Sequence, residues 1–303
     1  MFPAVFTTVL FSVSVLFASR SAQYLGGMPA NVARLLIAMG FLGAWAHSMG
    51  GGFGGPGLSW FLLSGVIGFG MGDMALFGAL PRIGPRLAIL LTQCLGAPIA
   101  GLAEYLFLGV HPTGVEILCG VVILSGVALA LAPDQQSDAE PRAFRIGVCF
   151  GIVSALGQGL GAVLSRKGYA VAAASGYTMD GGTAAYQRIV AGVLVTLLFW
   201  ALLRATGRAP EPLKPFPVWK KAMPLVVGNA LSGPTLGVAC FQWALQTTAS
   251  GKVLPIVATS PLVTMALAWM FQGTKPRRQA IFGGVLAVIG AAGLAWFKAT
   301  HRG

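Results

Sequence analysis

A set of glycines and prolines recurs at the same spacing in the two halves of the chain, which indicates a duplicated fold. Gly109-Val-His-Pro112 precedes an apolar run with glycines at 120 and 126, and Gly273-Thr-Lys-Pro276 precedes one with glycines at 284 and 290. Each pair of positions is 164 residues apart (273−109, 276−112, 284−120, 290−126). A duplicated set of apolar helices is typical of secondary transporters, in which the substrate site lies where the copies meet.

The apolar content of the chain predicts that these copies span a membrane. Only 9% of the residues are charged and 56% are apolar, whereas a soluble domain has about a quarter charged residues. Ten apolar stretches can be drawn, each near the ~20 residues that one helical crossing needs. They are approximately 2–19, 30–47, 58–79, 86–108, 113–132, 144–165, 183–203, 220–245, 251–271 and 279–297. The sequence predicts an all-α membrane protein with ten transmembrane helices and no attached soluble catalytic domain.

One polar segment divides the ten stretches into five and five. Residues 133–142 hold two prolines and three of the eight acidic residues, which is typical of a linker. We therefore predict a first five-helix repeat over residues 1–132 and a second over residues 143–303. Because five is odd, the second repeat must enter the membrane from the opposite side, so the repeats are predicted to be inverted.

Further matching residues follow in the same order in both halves. An arginine opens the second helix of each copy (Arg34 and Arg188), and a proline lies within the fourth (Pro98 and Pro261). The third helices share two glycines four residues apart, at 68 and 72 and again at 233 and 237, an offset of 165 (233−68). One such match would arise by chance, but an ordered series indicates duplication.

With these motifs the whole chain resembles the EamA-like family of the drug/metabolite transporter superfamily. The resemblance implies ten helices in two inverted five-helix repeats around a central cavity. It also implies export of small metabolites such as amino acids. One departure is that the family commonly has a glutamate after the junction glycine, where this chain has Val110 and Thr274. Both junctions of this chain therefore lack that carboxylate.

The net charge of +12 does not indicate nucleic-acid binding, because the basic residues fall in short connections without interleaved aromatic residues. Their distribution predicts that the odd-numbered connections are cytoplasmic and both termini lie outside. The family resemblance instead implies termini inside, and both possibilities stay open. The four cysteines lie in different predicted helices without metal-ligand spacing, so we expect no metal, no cofactor and no catalytic residue. The expected partners are a small-molecule substrate, the lipid bilayer and a proton as candidate coupling ion, in a monomer or homodimer.

Asp73 is the first candidate for a substrate-binding residue. A carboxylate within a membrane helix is costly, and such residues usually line a pathway or form an ion pair. Asp73 has no acidic counterpart in the second half, where Val238 stands at the equivalent position. It is interpreted either as a cation or proton site facing the cavity or as the partner of Arg34 or Arg188. The two arginines are interpreted as structural charges, with binding of a substrate carboxylate as the alternative.

Polar and aromatic residues within the other apolar helices complete the predicted substrate site. Spacings of three or four residues place many of them on one helix face. The candidates are Ser12, Gln93, Gln158, Asn229, Gln242, Trp243 and Thr259. The alternative for the serine and threonine is hydrogen bonding between helices, and for the tryptophan it is packing. The cavity is predicted to be lined by the first, third and fourth helices of each half.

These patterns favour a secondary transporter that exports a small metabolite by alternating access. A drug or quaternary-cation/proton antiporter that uses Asp73 is the alternative within transport. A membrane-embedded enzyme or lipid-handling protein is the alternative from another class, but it would need convergent titratable groups. Glutamates 104 and 116 are the other acidic residues within the apolar stretches, and both lie near helix ends.

Overall fold

The computed structural model describes residues 2–108, 113–131, 140–207, 213–247, 250–273 and 278–301, and this part of the chain is helical without β-strands. The first half contains α1 (Phe2–Leu25), α2 (Gly27–Ser48), α3 (Leu58–Gly65), the π-helical segment π1 (Val66–Asp73), α4 (Met74–Leu108) and α5 (Gly114–Leu131). The second half contains α6 (Pro141–Ala174), α7 (Gly181–Ala205), α8 (Phe216–Ala230), the π-helical segment π2 (Leu231–Thr235), α9 (Leu236–Thr247), α10 (Ser250–Val257), α11 (Ser260–Gln272) and α12 (Arg278–His301).

The lengths and apolar composition of these helices confirm an all-α membrane protein. Within the described residues, six helical stretches are long and apolar enough to cross a membrane. They are Phe2–Leu25, Gly27–Ser48, Leu58–Ala103, Pro141–Ala174, Gly181–Ala205 and Phe216–Thr247. Shorter apolar helices cover Gly114–Ala130, Ser260–Phe271 and Arg278–Gly293. The stretch beginning at Leu58 turns at Gly84, whose φ of 72° and ψ of 169° are not helical, so it contains two successive helical segments.

Both halves contain a π-helical segment at equivalent positions. π1 begins at Val66 and π2 at Leu231, so their starts are 165 residues apart (231−66), the same offset as the paired glycines of these helices. A π-helical segment widens the helix and often lies at a functional site. Both segments contribute residues to the central cavity described below.

The two prolines predicted to lie within the fourth helix of each half have different surroundings. Pro98 lies inside the helical segment of α4 that follows the turn at Gly84. Pro261 instead lies in the first turn of α11, because α10 ends at Val257 and α11 begins at Ser260. Proline is favoured in the first helical turn, where its missing N–H removes no hydrogen bond. The expectation of a proline in mid-helix therefore holds for Pro98, whereas Pro261 follows a break.

The helices pack in pairs that combine one element from each half. α4 packs along α6, α5 along α12, α2 along α7 and α1 along α8. The α5–α12 contact depends on glycine, because a Cβ added at Gly126 would lie 2.6 Å from the carbonyl oxygen of Gly283. Close backbone approach at small residues is typical of helix contacts in membranes, where the hydrophobic effect does not drive association.

The side chain that caps the N-terminus of α7 also contacts α2. The Asp180 side chain accepts hydrogen bonds from the Thr183 backbone N–H at 2.9 Å and from the Trp45 indole N–H at 3.0 Å. Burial raises the pKa of Asp180, but these hydrogen bonds outweigh it and leave the pKa below its ordinary value. Of the predicted linker, residues 133–139 lie outside the described residues, and Pro141 already begins α6. The junction residues 109–112 and 274–276 also lie outside them.

Candidate functional site

A cavity lies in the middle of the helix bundle, where helices of both halves meet. Its volume is about 80 Å³, which is below the ~300 Å³ of ordinary ligand pockets and fits only a very small molecule. Its described lining residues are Phe11, Ser14, Val15, Ala18, Arg34, Gly68, Phe69, Asp73, Leu76, Phe77, Ile89, Thr92, Gln93, Gln158, Arg188, Asn229, Gly233, Pro234, Val238 and Phe241. The cavity therefore combines charged, amide and aromatic groups inside an apolar bundle.

Asp73, at the end of π1, forms an ion pair with Arg34 of α2. An Nη atom of Arg34 donates to Asp73 Oδ2, and its Nε donates to Asn31 Oδ1 at 3.0 Å. The guanidinium also lies over the Phe77 ring, 4.7 Å from its centroid. The side chain of Arg34 is 5% exposed and that of Asp73 is 20% exposed. Of the two interpretations of Asp73, the ion pair describes its contacts in this structure, while its position at the cavity keeps it within the predicted site.

Arg188 of α7 faces the same cavity, within electrostatic range of Asp73 but without an ion pair of its own. Among the described residues it forms no side-chain hydrogen bond, and its Nε is buried without a hydrogen-bond partner. Its guanidinium lies 5.3 Å from the centroid of the Phe69 ring. A Cβ added at Gly68 would lie 2.9 Å from an Nη of Arg188, and one at Gly161 would lie 3.4 Å from it. The two glycines therefore leave the room that the guanidinium occupies.

Two amide contacts cross the cavity between the halves. Gln158 of α6 donates to Gln93 Oε1 of α4 at 3.3 Å, and Ser14 of α1 donates to Asn229 Oδ1 of α8 at 2.7 Å. Asn229 is fully buried, and its Nδ2 has no partner in the described structure. The predicted residues Gln93, Gln158 and Asn229 thus lie at the cavity together with Asp73. Their amides offer both donors and acceptors to a polar ligand.

Three predicted residues lie among the helices but not among the described lining of the cavity. Ser12 donates to the carbonyl of Ser260 at 3.1 Å, which joins α1 to α11. Thr259 donates to the carbonyl of Ile256 at 2.6 Å in the break between α10 and α11. Gln242 donates to Ser165 Oγ at 3.4 Å. Ser12 thus forms the hydrogen bond between helices that the sequence offered as the alternative for the serine and threonine, and Thr259 forms a local one. Gln242, which was expected at the cavity, instead contacts α6.

Trp243 lies on the outer face of the bundle. Its side chain is 49% exposed, and it lines a mainly apolar groove of about 580 Å³ together with Trp45 and Asp180. The adjacent Gln242 is buried because successive helical residues point about 100° apart. The structure therefore separates Trp243 from the cavity residues with which it was grouped.

The cavity includes residues that sequence reasoning did not assign to it. The second helix of each half contributes Arg34 and Arg188, while α10 and α11 contribute none of the described lining residues. Phe11, Phe77 and Phe241 also line it, although an aromatic residue in an apolar helix gives no sequence signal beyond packing. The repeated arginines were the signal that could have placed the second helices at the site.

Comparison with known proteins gives one family and one fold. The model of the EamA-like transporter family matches residues 145–296, which is half of the chain. No curated protein matches. A solved structure described only as "Crystal structure of protein" has a TM-score of 0.65 and 17% sequence identity, and the similarity covers 99% of this chain and 98% of that one. At this identity the similarity shows a shared fold alone.

Proposed function

The chain belongs to the EamA-like transporter family, and on that premise we propose that it exports a small metabolite through the central cavity by alternating access. Members of the family are transporters, and the chain is a multi-pass integral membrane protein of the drug/metabolite type. The observation that carries the proposal is the central cavity, to whose mainly apolar lining both halves contribute charged and amide side chains. Groups of this kind are costly within a membrane and usually line a substrate pathway.

We further propose that the helices form ten membrane crossings in two inverted five-helix repeats. Four features support this arrangement: the ordered residue matches, the equivalent starts of π1 and π2, the paired packing of α2 with α7, and that of α5 with α12. Inverted repeats place two similar bundles around one site, so that rocking of one bundle exposes the site to either side.

The charge of the cavity favours a metabolite over the cation alternative. An antiporter for drugs or quaternary cations would use the Asp73 carboxylate, but that carboxylate already contacts Arg34. A cation would have to displace a guanidinium and would then lie near a second one, Arg188. For a membrane enzyme, the described cavity offers one carboxylate and no histidine or cysteine, which is a poor set for acid–base or nucleophilic chemistry.

Filling the cavity should abolish transport without unfolding the protein. Gln158→Trp would place an indole in a space of about 80 Å³, so we expect the flux of labelled substrates into proteoliposomes to fall to the level of empty vesicles. Leu194→Trp is the matched control, because this α7 side chain is 62% exposed on the outer face. A panel of labelled amino acids and small organic acids provides the substrates. Equal flux through a well-folded Gln158→Trp protein and the control would contradict the proposed pathway.

We propose that the protein lies in a bacterial inner membrane with both termini outside the cytoplasm. Lys221, near the start of α8, and Arg20, near the end of α1, line one pocket, and Arg20 donates to the carbonyl of Phe271 near the end of α11. Eleven of the other eighteen basic residues lie in the odd-numbered connections or at the helix ends that border them, which supports placing this end of the bundle in the cytoplasm. We expect a C-terminal reporter that works only outside the cytoplasm to be active. Activity of a reporter that works only in the cytoplasm would reverse the orientation.

A further inference from the structure

The two repeat-equivalent arginines differ in one respect, which is the presence of a carboxylate partner. Both line the cavity, and Arg34 is paired with Asp73. At the offset of the third helices, 165 residues, the position equivalent to Asp73 is Val238 (73+165), which also lines the cavity. The second half therefore supplies the guanidinium without an acid of its own, and the Nε of Arg188 has no hydrogen-bond partner among the described residues.

A guanidinium with an unsatisfied nitrogen is costly in this position. Arg188 is 6% exposed, and a buried charged group whose donors lack partners destabilises a protein. The described lining of the cavity holds two arginines and one aspartate, which gives a net charge of +1 (2−1). A ligand with one negative charge would neutralise the cavity, whereas a zwitterion would leave its charge unchanged and a cation would increase it.

We propose that the substrate is a small organic monocarboxylate whose carboxylate binds Arg188 in place of the acid that the second half lacks. This inference rests on the proposed transport function and specifies its substrate class. The planar fork of a guanidinium matches the two oxygens of a carboxylate and binds them with two parallel hydrogen bonds. The partnerless Nδ2 of Asn229 is a further donor at the same cavity.

The rest of the cavity limits the body of the substrate. Phe11, Phe69, Phe77 and Phe241 provide an apolar lining, and the volume of about 80 Å³ admits a molecule the size of lactate without rearrangement. A larger body such as that of benzoate requires the helices to separate, as they do in a transport cycle. The predicted ligand is therefore a short carboxylate with an uncharged body.

Thermal unfolding of the purified full-length protein with matched ligands tests this inference. Lactate and benzoate should raise the melting temperature by a few degrees when present far above their dissociation constants, while lactamide and benzamide, which lack the charge, should not. Arg188→Gln should weaken carboxylate binding roughly 10- to 100-fold, the loss expected for a charge-assisted pair. Sodium chloride at the same ionic strength controls for a general effect of salt.

A second variant tests the missing partner directly. Val238→Glu supplies a carboxylate side chain in the second half. We therefore expect it to prevent the binding of lactate and benzoate and to raise the melting temperature of the ligand-free protein. Val238→Gln adds nearly the same volume without the charge, so it should bind lactate and benzoate more tightly than Val238→Glu does, whatever the added volume costs. Equal shifts in the wild type and in Arg188→Gln, equal shifts with acids and amides, or no shift with any carboxylate would each overturn the inference.

Flux measurements separate this inference from the proposed function. If lactate binds in an Arg188-dependent manner but no solute of the panel crosses proteoliposome membranes, transport fails while the carboxylate site stands. If neutral or cationic solutes cross at the same rate in the wild type and in Arg188→Gln while carboxylates do not, the substrate class is overturned and transport stands.

Discussion

Asp73→Asn should lower the melting temperature of the protein strongly, because it leaves the buried guanidinium of Arg34 without its counter-charge. Removing one member of a buried ion pair costs about 3–5 kcal/mol. The Asp73 side chain keeps 20% exposure, so we expect the lower end of this range, about 3 kcal/mol. The remaining contacts of Arg34, with Asn31 and the Phe77 ring, do not replace the lost charge.

Two further variants identify the ion pair as the cause. Asp180→Asn makes the same chemical change at a helix N-cap, where asparagine caps as well as aspartate does, so the melting temperature should fall much less than in Asp73→Asn. The double variant Arg34→Gln/Asp73→Asn should melt higher than the sum of the two single effects predicts, because no buried charge is left unpaired. Additive losses would show that the two side chains act separately.

The same variant distinguishes the ion pair from proton coupling. If Asp73 couples protons, Asp73→Asn should abolish the pH dependence of transport and leave folding intact. If its main role is to neutralise Arg34, the melting temperature should fall and the pH dependence of any remaining flux should persist. A protein that melts like the wild type but transports without pH dependence would contradict the structural role.

The sequence predicted the features that depend on repetition and apolar length, but not those that depend on packing between distant helices. The all-α membrane class follows from the scarcity of charge, and the matched arginines and glycines mark equivalent positions of the two halves. The π-helical segments were not predicted, because one extra residue per turn leaves no clear trace in an apolar sequence. The sequence predicts Pro261 in mid-helix, because α10 and α11 are both apolar and together resemble one continuous helix.

The sequence predicted only those residues of the candidate site whose side chains are costly next to lipid. Bulky amides and the lone carboxylate are costly next to lipid, so Asp73, Gln93, Gln158 and Asn229 could be assigned to the cavity from the sequence. Ser12 and Thr259 have small hydroxyls that a nearby carbonyl satisfies, so their types do not distinguish a cavity from a helix contact. Pairing Asp73 with Arg34 rather than Arg188 required the three-dimensional arrangement, since the sequence allowed both.

Gly65→Ala should prevent correct packing of α3 against α7 and should therefore lower the stability of the protein strongly. The added Cβ would overlap the carbonyl oxygen of Arg188 and would lie 2.6 Å from its carbonyl carbon and 2.8 Å from its Cα. Those atoms belong to the backbone, so no side-chain rotation relieves the overlap. Overpacking of a core usually costs 1–3 kcal/mol, and we expect about 3 kcal/mol or more here.

Gly40→Ala is the matched control, because it is also a helical glycine and no atom lies within 4 Å of its Cβ position. Alanine favours the helix by up to ~1 kcal/mol over glycine, so this variant should melt at or slightly above the wild-type temperature. Folded yield and melting temperature of the two purified variants provide the measurement. Since the clash is with the main chain of Arg188 itself, any Gly65→Ala protein that folds must displace that residue, and its carboxylate binding should weaken with its stability. Wild-type melting and binding in Gly65→Ala would show that α7 does not approach α3 as closely as described.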